Sequence, residues 1–372
     1  MTSTSGEIVR NAARIVVKVG STSLTTPDGV LALEPLRRLV DALAGRRLDG
    51  TQIVLVSSGA VAAGILPLGL SSRPKDLATQ QAAASVGQGA LVAAYSSAFG
   101  QHGLTVGQVL LTADDLIRKQ HYVNARRAVT RLLRLGVVPV VNENDAVATD
   151  EIRFGDNDRL AALVAHLTRA DALLLLSDVD ALYDRPPHEP GAARLAVVAG
   201  ADDLRQVRLE GVRSTVGTGG MVTKVEAARI ATGAGIPTLL TSAANAELAL
   251  SGAEVGTLFT PTAGRPASRM LWLAHASEPQ GRLVIDDGAV RALVGKKASL
   301  LPAGIMAVEG SFDEGAPVEV ADRAGRVVAR GLVSYSSEAL PRLLGRTTHW
   351  LGEVLGPQYA REIIHRDQLF IL

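Results

Sequence analysis

Apolar positions along this chain follow two alternating patterns. Short runs at residues 14–19, 52–57, 105–111, 137–142, 172–177 and 237–241 are β-branched or leucine-rich at successive positions, so each is apolar on both faces of an extended strand. Between them, residues 31–44, 79–99, 124–135, 158–167 and 221–233 carry apolar side chains three and four apart, the spacing of one helical face. Strands buried on both faces and alternating with helices predict an α/β domain: a three-layer, mostly parallel sheet with helices on both faces. This domain is expected to span residues 1–262.

The pattern changes from Pro261. The stretch Pro261-Thr262-Ala263-Gly264-Arg265-Pro266 reads as a domain edge, and residues 263–278 as a linker. Beyond it, strand-like pieces at 282–285, 305–309, 317–321, 327–333 and 368–372 are separated by glycine turns, and helical patterning is confined to 288–294 and short turns. Residues 279–372 therefore predict a small β-rich domain. Within the first domain, residues 185–194, with Pro186, Pro187, Pro190 and Gly191, predict an exposed loop.

Composition narrows the function classes. The 372 residues carry a formal net charge of +1, which gives no support to a nucleic-acid or membrane-surface binder held by basic excess. Cysteine is absent, which removes disulfides, thiol nucleophiles and cysteine-ligated zinc and fits a reducing interior. The polar amino terminus has no apolar signal region, and no apolar run approaches the ~18 residues of a membrane span. A soluble cytoplasmic protein is expected.

Two lysines stand out. Lys18 is embedded in the apolar run Ile15-Val16-Val17-Lys18-Val19-Gly20-Ser21, and Lys224 closes Gly217-Thr218-Gly219-Gly220-Met221-Val222-Thr223-Lys224. A buried ammonium loses several kcal/mol of hydration, roughly, unless an anion meets it. Two such lysines, each beside glycines, point to a phosphate. Ligands of open parallel sheets bind beyond the carboxyl ends of the strands. There this sequence places Ser57-Ser58-Gly59-Ala60, Asn142-Glu143-Asn144-Asp145, Gly155-Asp156-Asn157-Asp158 and Ser177-Asp178. Glycines let backbone N–H groups approach phosphate oxygens, helix amino termini after Gly59 and Gly220 favour anions, and lysines neutralise a transferring group. Asp and Asn either hold Mg²⁺ through oxygen or orient the lysines.

None of the seven histidines falls at a strand end, so the expected reaction needs no strong general base. A carboxylate acceptor meets that condition, being ionised at neutral pH with a pKa of ~4.3. Bringing two anions together then demands positive charge at the point of transfer, which two lysines and Mg²⁺ supply. The glycine-rich loop at 217–220 matches neither the Walker lysine loop nor the dinucleotide fingerprint.

The ordered set Val17-Lys18-Val19-Gly20-Ser21, Val56 to Gly64 with Ser57-Ser58-Gly59-Ala60, Asn142-Glu143-Asn144-Asp145, Phe154-Gly155-Asp156-Asn157-Asp158, Ser177-Asp178 and Gly217 to Lys224 resembles the glutamate 5-kinases, within the amino acid kinase superfamily. The carboxy-terminal region, to His365-Arg366-Asp367, resembles the PUA domain of bacterial members. The resemblance implies ATP-dependent phosphorylation of the side-chain carboxylate of L-glutamate, the entry step of proline synthesis, with ATP and Mg²⁺, and inhibition by proline. It implies Lys18 and Lys224 as stabilisers of the transferring phosphoryl group, Asp158 as their orienting group, and Ser58, Asp145 and Asn157 as glutamate ligands. It implies nucleotide contacts from Lys18, Ser177, Asp178, Thr218, Gly219, Gly220, Met221, Val222, Thr223 and Lys224. No protein ligand for the metal is assigned. A homo-oligomer, dimer or tetramer, is expected, with glutamyl phosphate reductase as a candidate partner. Ser177 departs from the threonine common in relatives, and either hydroxyl can hydrogen-bond.

Two other readings compete. The same fold could serve another acceptor, such as N-acetylglutamate, aspartate, carbamate or a nucleoside monophosphate. A PUA-like domain could instead contact RNA, but residues 281–372 hold 11 Lys and Arg against 11 Asp and Glu, with no basic stripe. A regulatory or scaffolding role for the small domain is the third expectation.

Overall fold

The structure, a computed structural model, describes residues 4–26, 30–112, 115–116, 118–147, 157–200, 202–205, 207, 220–261, 279–296, 298–346, 348–354, 356 and 361–371. The chain divides into two compact units, Met1–Pro266 and Ala267–Leu372. The linker expected at 263–278 lies outside the described residues. No helix among the described residues is long and apolar enough to cross a membrane.

In the first unit the apolar runs form β1 (Arg14–Val19), β2 (Gln52–Val56), β3 (Val106–Leu111), β4 (Val138–Glu143) and β5 (Ala172–Ser177). A two-residue hairpin of β6 (Leu182–Tyr183) and β7 (Arg194–Leu195) follows, then β8 (Val197–Val198), β9 (Thr238–Ser242) and β10 (Thr257–Phe259). The main sheet has the order β3-β4-β2-β1-β5-β9-β10-β8. Its six longer strands are all parallel. The antiparallel pairing of β10 with β9 is a departure from that rule, made by three residues too short to register as a pattern in the sequence. Lys18 pairs in register with Val56 on one side and Leu175 on the other, so it sits in the middle of the sheet, one residue short of the end of its strand.

Both faces of the sheet are covered. Ile15, Val17, Ile53, Leu55 and Leu174 pack against helices α1 (Ser5–Asn11), α2 (Leu33–Leu48) and α4 (Leu77–Gly100) in one continuous core. The alternate positions Val16, Val54 and Leu175 are equally buried. Strands enclosed in this way are apolar at nearly every position, as β1, β2 and β5 are apart from Lys18 and their polar end residues. The remaining helices of the unit are α3 (Ala60–Ile65), α5 (Lys119–Arg134), α6 (Asn157–Thr168), α7 (Met221–Gly233) and α8 (Ala246–Ser251).

Helix α1 lies in the stretch read only as polar. Its signal was local: Thr4 and Glu7 form a reciprocal capping box, the Thr4 hydroxyl taking the Glu7 N–H and the Glu7 carboxylate the Thr4 N–H. Glu254 then holds the helix from far along the chain, accepting from Ser5 Oγ at 2.8 Å and from the Gly6 N–H at 3.1 Å. A Cβ at Gly6 would lie 2.1 Å from the Gly252 carbonyl oxygen, so only glycine permits this approach.

The second unit is a five-stranded sheet of β11 (Gly281–Ile285), β12 (Ile305–Gly310), β13 (Pro317–Ala321), β14 (Val327–Leu332) and β15 (Leu369–Ile371), in the order β12-β11-β13-β14-β15. It has helices α9 (Asp287–Lys296) and α10 (Thr348–Val354) and a core of its own around Leu283, Val318, Val320, Leu340 and Ile363.

Candidate active site

The parallel strands bring β1, β2, β4 and β5 to a common carboxyl edge, and the residues that follow them meet there. Lys18 is 4% exposed and Lys224 7%, while Asp158 is fully buried between them. Lys18 reaches in from the central strand, and Asp158 from the first turn of α6, which packs on β1. Lys224 lies in the first turn of α7, after Gly220. Lys18 Nζ stands 2.5 Å from Asp158 Oδ1, and Lys224 Nζ donates to Oδ2 at 3.0 Å. Thr223 Oγ1 approaches the same Oδ2 at 3.3 Å. One carboxylate therefore fixes two cations delivered by separate elements.

The electrostatics follow from this geometry. Burial pushes the Asp158 carboxyl up, but the ammonium groups of Lys18 and then Lys224, with their hydrogen bonds, outweigh it and hold the group below the ordinary carboxylate value. Two cations share one anion, so among the described residues the trio carries a net positive charge where solvent is largely excluded. Such a charge is costly in isolation, and an anion is the chemical partner that would offset it.

A second constellation lies alongside. Asn157, the first residue of α6, places Nδ2 at 2.8 Å from the Ser57 carbonyl, 3.1 Å from Ser58 Oγ and 2.6 Å from Asn142 Oδ1. Asn142 Oδ1 also takes the Glu143 N–H at 2.9 Å. The outer atoms of this pair, Asn142 Nδ2 and Asn157 Oδ1, are buried with no hydrogen-bond partner among the described residues. Buried amide groups are nearly always satisfied, so a donor and an acceptor left open at a sheet edge mark a place for a polar ligand. Asn142 belongs in the site on this ground. The sequence signal for it was its position at the end of an apolar strand. Asp145 follows two residues beyond β4, half-buried. Gly59, with φ of 99° in the left-handed region, makes the turn from Ser58 into α3.

On the other side of Lys18, β5 ends in buried Ser177, whose hydroxyl donates to Asp178 Oδ1 at 2.9 Å. Gly220, Met221, Val222 and Thr223 open α7, the helix that leads into β9, the strand paired with β5, and the Thr223 hydroxyl donates also to the Gly220 carbonyl at 2.8 Å. Thr218 and Gly219 of the glycine loop, and Gly155 and Asp156 ahead of α6, lie outside the described residues. Among the described residues no group of three or more His, Asp or Glu could hold a metal ion.

Residues 13–242 match the sequence model of the amino acid kinase family, and residues 281–350 that of the PUA domain. The chain is 61% identical over 366 residues to a glutamate 5-kinase of Thermobifida fusca strain YX, covering 98% of this chain and 94% of that one. It is 62% identical to the glutamate 5-kinase of Streptomyces avermitilis, with 98% of each chain covered. Among solved structures, a carbamate kinase from Giardia lamblia bound to AMP-PNP superposes with a TM-score of 0.50 at 18% identity, over 66% of this chain and 98% of that one. That likeness is one of fold.

Proposed function

The chain belongs to the amino acid kinase family, among its glutamate 5-kinases, and from this premise we propose that it transfers the terminal phosphoryl group of ATP to the side-chain carboxylate of L-glutamate. The products are L-glutamyl 5-phosphate and ADP, and the reaction is the first step of proline biosynthesis. The observation that carries the reading is the single buried Asp158 carboxylate holding Lys18 and Lys224 at the carboxyl edge of a parallel sheet.

Phosphoryl transfer is accelerated chiefly by positioning and by charge placed where the transition state needs it. A carboxylate oxygen of glutamate attacks the terminal phosphorus, the bond from that phosphorus to the bridging oxygen breaks, and ADP leaves with the electron pair. Lys18 and Lys224 offset the charge gathered on the transferring group. Asp158 positions both and leaves their combined charge in surplus. The acceptor needs no base to remove a proton, in keeping with a site built from lysines, hydroxyls and amides.

On the acceptor side, Ser58, Asp145 and Asn157 take glutamate, joined by Asn142 through its open Nδ2. A carboxylate such as Asp145 suits the α-ammonium of an amino acid, and the amides suit its carboxylate. On the donor side, Lys18, Ser177, Asp178 and residues 218–224 take ATP. Mg²⁺ bound with the nucleotide would supply neutralisation of phosphate charge beside Lys18 and Lys224. With both Asp158 oxygens turned to lysines, an ion carried on the phosphates and water fits the donor set, in keeping with the coordination habit of Mg²⁺. The cytoplasm, where ATP and glutamate are both available, is the proposed place of action. Proline is the proposed inhibitor, acting at or near the glutamate pocket, and the PUA-like unit is proposed to bear on regulation or assembly.

The test is a turnover assay with ATP and Mg²⁺, trapping acyl phosphate with hydroxylamine, over L-glutamate, N-acetylglutamate, aspartate, carbamate and nucleoside monophosphates, with ADP release followed in parallel. Hydroxamate formed with L-glutamate at far the highest kcat/KM is the expected result. Preference for any other acceptor would overturn the reading.

A further inference from the structure

Tyr95 lies in α4 among Leu91, Ala98 and Phe99 and is fully buried, a position where phenylalanine would pack as well. Its hydroxyl is the difference. It pairs with Ser57 Oγ at 2.9 Å, and Ser57 Oγ lies 3.2 Å from the Ser58 carbonyl oxygen. A buried phenol without a partner costs more than the phenyl ring it replaces, so this hydroxyl is tied to the serine it meets.

Ser57 is the point at which strand β2 becomes the acceptor side of the site. Its N–H completes the sheet by donating to the Val141 carbonyl at 2.9 Å. Its carbonyl receives Asn157 Nδ2, which also reaches Ser58 Oγ and Asn142 Oδ1. The backbone bond to Val141 fixes the height of Ser57, and its side-chain bond to Tyr95 fixes the direction of the Ser57 hydroxyl, which reaches the carbonyl of Ser58. Through the Ser57-Ser58 peptide the tyrosine acts on Asn157 and Ser58. Among the described residues, none of these bonds reaches Ser177 or the start of α7.

We infer that Tyr95 is a positioning residue for the acceptor, holding the Ser57-Ser58 peptide in place through its hydroxyl while the ring serves the core. The inference rests on the proposed glutamate site. Burial pushes the Tyr95 phenol well above its ordinary value, with the Ser57 hydrogen bond opposing that only in part. The hydroxyl therefore stays neutral and orients without exchanging a proton in the reaction.

Tyr95→Phe and Ser57→Ala, singly and together in the full chain, test this by steady-state kinetics with both substrates and by thermal unfolding. Loss of one orienting hydrogen bond is expected to raise KM for glutamate about 5- to 10-fold in each single variant, leaving KM for ATP within about twofold of wild type. The double variant is expected to be no worse than the weaker single one, because both substitutions cut the same bond. Unchanged KM for glutamate in either folded single variant overturns the inference, as does a parallel rise in both KM values or a multiplicative effect in the double variant. If Tyr95→Phe does not fold, Ser57→Ala, which leaves the ring in the core, decides by its two KM values: a rise for glutamate alone supports the inference, and no rise or a parallel rise overturns it. Wild-type turnover of glutamate is measured first: its absence sinks the proposed function and this inference together, whereas normal wild-type turnover with a silent Tyr95→Phe sinks the inference alone.

Discussion

Lys18 Nζ and Asp158 Oδ1 stand 2.5 Å apart at the carboxyl end of the central strand, and the other oxygen of the same carboxylate is taken by Lys224. This sharing makes the two lysines one electrostatic unit, because neither can move without disturbing the anion that holds the other.

Lys18→Ala and Lys224→Ala are each expected to lower kcat by ~10²-fold or more while the fold survives, since each removes a cation needed most where charge builds in the transition state. Steady-state kinetics with circular dichroism as a folding control reads this. A folded variant with wild-type kcat would remove that lysine from the mechanism.

The Asp158 carboxyl sits below its ordinary value because Lys18 and Lys224 outweigh the effect of burial. As pH falls, the unfolded chain therefore takes up this proton first, at about pH 4. The group contributes full stability above that pH and loses it progressively down to its own lower folded value. Denaturant unfolding of wild type and Asp158→Asn across that acid window is expected to give a shallower pH slope in the variant. Equal slopes would show that the carboxylate is not held by the lysines.

The two lysines stood out in the sequence because a charged residue in an apolar strand, or at the head of a helix after glycines, breaks the surrounding pattern, whereas Asp158 as the acid between them was implied by the family resemblance. The parallel sheet was legible for the same reason in reverse: runs such as 172–177 have no polar face at all. Helix α1, the hairpin of β6 and β7, and β10 were not. They are too short for periodicity to develop, and their places are set by distant partners such as Glu254 for α1. The open amide atoms of Asn142 and Asn157 were equally out of reach, because whether a buried amide is satisfied depends on tertiary packing.

Gly87 and Gly64 mark where α3 and α4 touch backbone to backbone. A Cβ at Gly87 would lie 1.8 Å from the Ala60 carbonyl oxygen, and one at Gly64 1.9 Å from that of Ala83. Gly87→Ala is expected to destabilise the protein by ~1–3 kcal/mol and to raise KM for glutamate, because Ala60 heads the helix that follows Ser58 and Gly59. Gly45→Ala in α2, where an added Cβ meets nothing within 4 Å, is the control and is expected to be neutral or slightly stabilising. Similar unfolding midpoints for the two variants would refute the close crossing.

Every assigned site residue lies in the first unit, which has its own core, so a chain ending at Ala276 is expected to remain folded and to phosphorylate glutamate. Oligomeric state and the proline response are where a change is expected, read by gel filtration and inhibitor titration. A folded truncation without any kinase activity would mean that the second unit completes the site.

The clasp between Glu254 and residues 5 and 6 joins groups 249 residues apart, and it has a consequence for synthesis. Arg46 of α2 can reach the Val9 and Arg10 carbonyls early, but the clasp itself cannot form until residues 246–254 have emerged from the ribosome. The central strand β1 likewise has no second neighbour until β5 has emerged. Nascent chains arrested short of residue 254 are therefore expected to be cut readily by protease at the first helix, and chains extended past the ribosome exit by a further stretch to resist. The first unit is thus closed by one of its last parts to be made, and its earliest helix gains its final hold only then.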